Sequence, residues 1–385
     1  MRIIHYIDDI EAGKLLSDHF LRLATAQQEY AEVRIVTRRD DFKRVSDEFH
    51  ADIVHIHACW DYKAARCAAQ AVGKGCPVVL SPHWGLDRHT RMAERKLTKH
   101  IKAILYQKRM VQQADAILVS SEHEKKDILR LGWTERIDVV ADCVLDRQQS
   151  DDAMAHQAVD FYRKILDTRY QLAMTAIEKD AIPSLLHAGL AQETTHNLLS
   201  SEQLLNLRSL NPGQWQRILL YADDEGVRDI IGNGIDRLQL NAPDIDTTAI
   251  RRYALSASKN TNSVDAKELS GSQPLMRQRL NDNLNREETL IRQIVIMLTN
   301  TRQVEHKGSL ALRQLADLYT AIKYNDYDED RLAEVLRHLR IYRYARRIIQ
   351  LLAEKVQLKE GFMPFPPLND RQTRRILRKN FTQRH

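Results

Sequence analysis

Between Asp52 and Asp87 the chain reads DIVHIHACWDYKAARCAAQAVGKGCPVVLSPHWGLD, and six side chains in it could do chemistry: His55, His57, Cys59, Cys67, Cys76 and His83. His55, His57 and Cys59 alternate, so on a strand they point to one side, and a distant fourth ligand would complete a tetrahedral metal site. Against that, DIVHIH has the composition of a central strand covered on both faces, and no HxxxH or CxxC cluster stands beside it. The expectation is a buried strand and no metal. Cysteine nucleophilic catalysis is no better served. Cys67 falls in an Ala-rich helical stretch, Cys76 precedes Pro77 at a strand entrance, and neither has an activating base by sequence. His83 differs. It follows PVVLS and Pro82 and stands before Trp84 and Gly85, at the carboxyl end of a strand, where its imidazole could donate a hydrogen bond to a phosphate or a reacting hydroxyl. A loop histidine bonded to a backbone carbonyl would give the same sequence. His57, ending the preceding strand, faces the same rim. Gly13, between the first strand and the first helix, lets the backbone approach an anion at a helix N-terminus. The chain has no GxGxxG and no P-loop signature.

The elements that must position these residues are legible from periodicity. RIIHYI, VRIVT from Val33, DIVHIH, PVVLS, AILVSS from Ala116 and IDVV from Ile137 are short and rich in Ile and Val, as buried parallel strands are. Lys14 to Ala26 and Asp61 to Val72 between them have helical spacing. This alternation predicts an α/β fold, a doubly wound parallel sheet whose ligands bind outside the carboxyl ends of the strands. The second half predicts helices throughout; Pro212 suits a first helical turn and Asn211 its cap. Residues 256–285, polar and rich in Ser and Asn, read as a flexible linker. The expected division is therefore 1–147, a Rossmann-like domain; 148–255, a helical region; 256–285, the linker; and 286–385, a small helical module with a basic tail.

Of the 385 residues 43% are hydrophobic, enough for two cores. No stretch approaches the roughly 18 apolar residues that span a bilayer, and MRIIHYIDDIEAG meets acidic residues before a signal-like run forms. A cytoplasmic or peripheral protein is expected, with its four cysteines reduced. The charge is segregated: residues 331–385 hold 14 Lys/Arg against 4 Asp/Glu, a net of +10, while the whole chain carries only +6. Such an end can hold anionic lipid, nucleic acid or a phosphorylated substrate, or can simply be a solvated helix face.

MRIIHYIDDIEAG, ADIVHIHACW, PVVLSPHWGLD, ERKLTKHIKAILYQKRMVQQADAILVSSEHEKKDILRLGW and RIDVV together resemble the N-terminal domain of family-four glycosyltransferases. These are retaining, metal-independent enzymes of the two-Rossmann-domain GT-B type, and the form is similar to that of bacterial polysaccharide-assembly enzymes. The resemblance covers residues 1–147. It implies that Gly13 lies near the donor phosphate or the acceptor, that His83 lies beside the reacting sugar, and that His57, Trp84 and Gly85 help bind substrate. It implies no cofactor. The chain departs from the family pattern in having no two glutamates eight positions apart for the Glu-x7-Glu pair, ADCVLD in place of Pro-Asn-Gly-Val, and a helical second half where a second Rossmann domain would hold the nucleotide sugar. Arg217, Arg251 or Arg252 could take over the stabilisation of the leaving diphosphate.

The expected function is transfer of a sugar from a nucleotide-sugar donor to a lipid-linked or glycan acceptor, with the basic end on an anionic inner-membrane surface. The competing class is a degenerate, non-catalytic domain that binds a sugar or a partner glycosyltransferase subunit. Nucleic-acid binding through RQTRRILRKNFTQRH is disfavoured, because the stretch lacks interleaved aromatic and glycine residues.

Overall fold

The computed structural model describes residues 1–87, 96–144, 149–192, 198–254, 259–270, 274–284, 289–307 and 310–381. Six runs form strands: β1 (Arg2–Ile7), β2 (Glu32–Thr37), β3 (Ile53–His57), β4 (Val78–Leu80), β5 (Ala116–Val119) and β6 (Ile137–Val139). All pair in parallel, in the order β2-β1-β3-β4-β5-β6. Every residue of β3, β4 and β5 is buried, which is why these strands read as unbroken apolar runs. The winding direction reverses between β1 and β3, and the carboxyl ends flanking such a reversal form the natural ligand crevice of an open α/β sheet.

Two sides of the sheet carry separate cores. Ile4, Tyr6, Val54, Ile56, Val78 and Leu80 pack with the alanines of the helix Tyr62–Gly73. That helix is capped by Asp61, whose carboxylate accepts from the Lys63 and Ala64 amides. Ile3, Ile53, Val79 and Leu118 pack with Leu23, Met154, Phe161 and Tyr162 from the helices Leu15–Ala26 and Asp151–Asp167.

The chain divides into two units: Met1–Arg169 with Thr248–Ser256, and Tyr170–Thr247 with Ala257–His385. In the first, the returning segment docks by Tyr253, which lies edge-on to Phe161 at 5.4 Å between ring centroids and donates its hydroxyl to Asp138 at 2.6 Å. The second is helical, and among its described residues there is no strand. Its helix Pro212–Asp224 starts as the Asn-Pro pair predicts, with Asn211 accepting from Gln214 N. Residues 259–270, inside the stretch read as a linker, form no helix or strand. Their backbone is nonetheless held by neighbouring side chains. Asn300 donates to Asp265 O and Glu268 O and accepts from Ser270 N, Gln314 donates to Asn260 O and Asn262 O, and Asp317 accepts from Val264 N.

Candidate active site

β4 ends at Leu80, and the chain turns through Ser81, Pro82, His83, Trp84 and Gly85. His83 (φ +46°) and Trp84 (φ +64°) are both left-handed. That conformation costs an L-residue roughly 1–2 kcal/mol, so consecutive instances need outside support. The support is visible. Trp84 N donates to Glu124 Oε1 at 2.6 Å, Gly85 N to Pro82 O at 2.9 Å, and Trp60 Nε1 to Gly85 O at 2.6 Å. Gly85 is required by close approach, because a Cβ there would lie 2.0 Å from Cys59 Sγ and 2.9 Å from Pro82 O. Gly13 is required by its φ of +77°, with open space where a Cβ would project. Trp60 is itself held by the basic segment, whose helices Lys96–Lys102 and Lys108–Gln113 are joined by a π-helical turn, Ala103–Gln107. Tyr106 and Lys102 donate to Trp60 O, and Gln107 accepts from Trp60 N.

Beneath His83 lies a buried row of histidines. The register sets His5 beside His55 on neighbouring strands, and His57 is two residues further along the same face. His83 Nε2 is 3.0 Å from His57 Nδ1, and His57 Nε2 is 2.9 Å from His5 Nδ1. His5 Nε2 is 2.7 Å from Gln27 Oε1. His55 lies 2.6 Å from the Tyr162 hydroxyl through Nδ1 and 2.7 Å from Ser81 Oγ through Nε2. Burial drives the imidazoles toward the neutral form: His5 falls to about 4, His83 to about 3, and His55 and His57 well below the usual value. His5, His55 and His57 bring ring nitrogens within 4.8 Å of one another, close enough to suggest a cation. Yet all six of their nitrogens are already hydrogen-bonded, and a metal would have to break several of those bonds.

At the carboxyl ends of β4, β5 and β6 a small cavity is lined by His19, Ser81, His83, Ser120, Glu124 and Met154, among others. Its free volume of about 20 Å³ is room for about one water. His19 Nδ1 lies 2.9 Å from Asp142 Oδ1. Glu124, 1% exposed, accepts from Trp84 N, Ser120 N and Ser120 Oγ, and burial raises its carboxyl pKa. The fold thus brings His83, Trp84 and Gly85 together on one loop. His57 is buried behind His83, and Gly13 stands exposed in the β1 loop. The four cysteines are unpaired thiols, each raised to about 12 chiefly by burial, which leaves no thiolate for nucleophilic work. Arg217 is committed to the buried Glu178 at 2.6 Å, and Arg252 to Asp138 at 3.2 Å. His5, Gln27, Glu124 and Tyr162 were not singled out in the sequence. Only Glu124 left a local signal, three residues after the helix-capping Ser121.

A doubly wound parallel sheet defines a Rossmann-like domain, and the strained histidine loop lies beyond its strand ends, where ligands of such sheets bind. Residues 19–144 match the family model described as Glycosyltransferase Family 4. The matched stretch lies in the first unit and takes in β2 to β6 with His57, His83, Trp84 and Gly85, so this part of the chain is similar to the Glycosyltransferase Family 4 domain. No curated protein and no solved structure matches the chain.

Proposed function

We propose that the chain is a glycosyltransferase of cell-surface polysaccharide assembly, moving a sugar from a nucleotide-sugar donor to a lipid-linked or glycan acceptor. His83 stands beside the reacting group, Gly13, Trp84 and Gly85 form the substrate-binding surround, and His57 supports His83 from behind. The Family 4 match over residues 19–144, with His83 at the carboxyl end of β4, carries this reading. The reaction is of the retaining, metal-independent type. The bond to a diphosphate leaving group breaks as charge builds on the phosphate oxygens, and fixed donors must meet that charge. In this reading the chain works in the cytoplasm, peripheral on the inner membrane through its basic end.

One observation favours a second reading. Among the described residues the second unit has no strand, and so no second parallel sheet to hold a nucleotide. On that reading the domain is non-catalytic, and a partner glycosyltransferase subunit supplies the donor half. Calorimetry of the purified chain against UDP-, GDP- and dTDP-sugars, with His83→Ala beside it, separates the two. Saturable binding of one nucleotide sugar, weakened about tenfold in the variant, is the expected result for an enzyme. Absence of binding to all of them overturns the first reading in favour of the second.

A further inference from the structure

The histidine row has a direction. Leu118 O can only accept, so the Ser81 hydroxyl, 2.9 Å away, spends its proton there. Ser81 Oγ must then accept from His55 Nε2, which fixes the proton of the neutral ring on that nitrogen. His55 Nδ1 accepts from the Tyr162 hydroxyl, whose oxygen, its own proton committed, takes a longer 3.4 Å bond from the Gln27 amide nitrogen. Gln27 is thereby oriented with its carbonyl oxygen toward His5. His5 donates from Nε2 and accepts at Nδ1, His57 donates to it from Nε2 and accepts at Nδ1, and His83 donates to His57 from Nε2. One backbone carbonyl thus sets every proton over seven side chains, the last of them His83. Among the described residues no hydrogen bond reaches His83 Nδ1.

We propose that Gln27, His5 and His57 are positioning residues that hold His83 as its Nε2–H tautomer, so that His83 offers substrate a bare Nδ1 lone pair. It can accept from a sugar hydroxyl and has no proton to give a phosphate oxygen. This rests on the reading of His83 as a substrate-facing group, and it assigns to that group the hydroxyl of the sugar or acceptor.

The test is a long-range proton–nitrogen correlation spectrum of the ¹⁵N-histidine-labelled full chain near pH 7, which needs neither activity nor bound sugar. His5, His55, His57 and His83 are expected as Nε2–H tautomers. An Nδ1–H tautomer or an imidazolium at His83 overturns the proposal. Gln27→Met removes the acceptor for His5 and should shift the His83 nitrogens toward a tautomeric average. Gln27→Glu keeps an acceptor there and should leave them as in the wild type. Unchanged His83 shifts in a folded Gln27→Met would reduce Gln27 to packing and overturn its assigned role. Should that variant fail to fold, the wild-type spectrum alone decides. Added inorganic phosphate should leave Nδ1 unprotonated, and protonation on binding it would overturn the assignment to a hydroxyl. Failure of every nucleotide sugar to bind would sink the transferase reading and leave the tautomer result standing, so the two failures are distinguishable.

Discussion

At the scale of residues, four neutral imidazoles inside the first unit couple stability to pH. An unfolded chain takes up protons on its histidines below about pH 6.5, whereas His5 and His83 in the fold do so only near 4 and 3. The unfolded state therefore binds more protons across that window, and stability falls as pH falls through it. Urea midpoints should decline from pH 7 to pH 5, as the unfolding free energy falls by up to about 1.4 kcal/mol per pH unit for each fully buried ring. A flat profile would show that the rings are already protonated or open to water in the folded chain. His83 was legible because a Pro-His-x-Gly run after an apolar strand marks a strand end. His5 was not, since one histidine in RIIHYI carries no periodic signal. Its partners His55 and His57 lie on β3, some fifty residues away, and only the β1–β3 register joins them.

At the scale of elements, Glu225 is the tie of the helical unit. It follows the helix Pro212–Asp224, is 1% exposed, and accepts from Leu312 N at 2.9 Å, at the start of the helix Leu312–Lys323. It also accepts from Lys259, which donates in turn to Asn380 O in the helix Arg371–Phe381. Burial raises the Glu225 carboxyl pKa, and the Lys259 charge opposes the rise. Lys259→Met should destabilise this unit by about 3 kcal/mol, because it leaves a buried carboxylate without its counter-charge. Thermal unfolding would register this as a lowered Tm, partly restored by adding Glu225→Gln. A Tm equal to that of the wild type would mean that Glu225 is protonated in the fold. All six strands were readable, β3, β4 and β5 because a parallel strand covered on both faces is apolar throughout, and the edge strands β2 and β6 from their Ile and Val alone. The polar stretch 259–270 was not, because its bonding partners Asn300, Gln314 and Asp317 come from helices 30 to 54 residues further on. The π-helical turn inside the basic segment likewise has no periodic signature.

At the scale of the whole molecule, the charge excess of residues 331–385 is partly built into the fold. Arg343 and Arg347 pair with Asp370, Arg346 donates to Pro366 O and Pro367 O, and Lys379 pairs with Glu305. Arg371, Arg374 and Arg375 are exposed on a helix that buries Thr373, Ile376 and Asn380. The proposed membrane contact predicts that the chain floats with anionic vesicles at low salt, that it is released as salt shortens the Debye length from about 10 Å toward 3 Å, and that replacing these three arginines by Gln weakens flotation. Binding that ignores salt would count against an electrostatic anchor. The docking of Tyr253 on Phe161 and Asp138 bears on how the molecule is made. Synthesis delivers the sheet first, yet Thr248–Ser256 belongs to the sheet's unit and follows some eighty residues of the second unit. A chain still on the ribosome and stopped before Thr248 would carry all six strands with Phe161 uncapped and Asp138 without its tyrosine. The first unit is therefore finished only after part of the second has been made, and the nascent protein must shelter an incompletely covered sheet while those residues are translated.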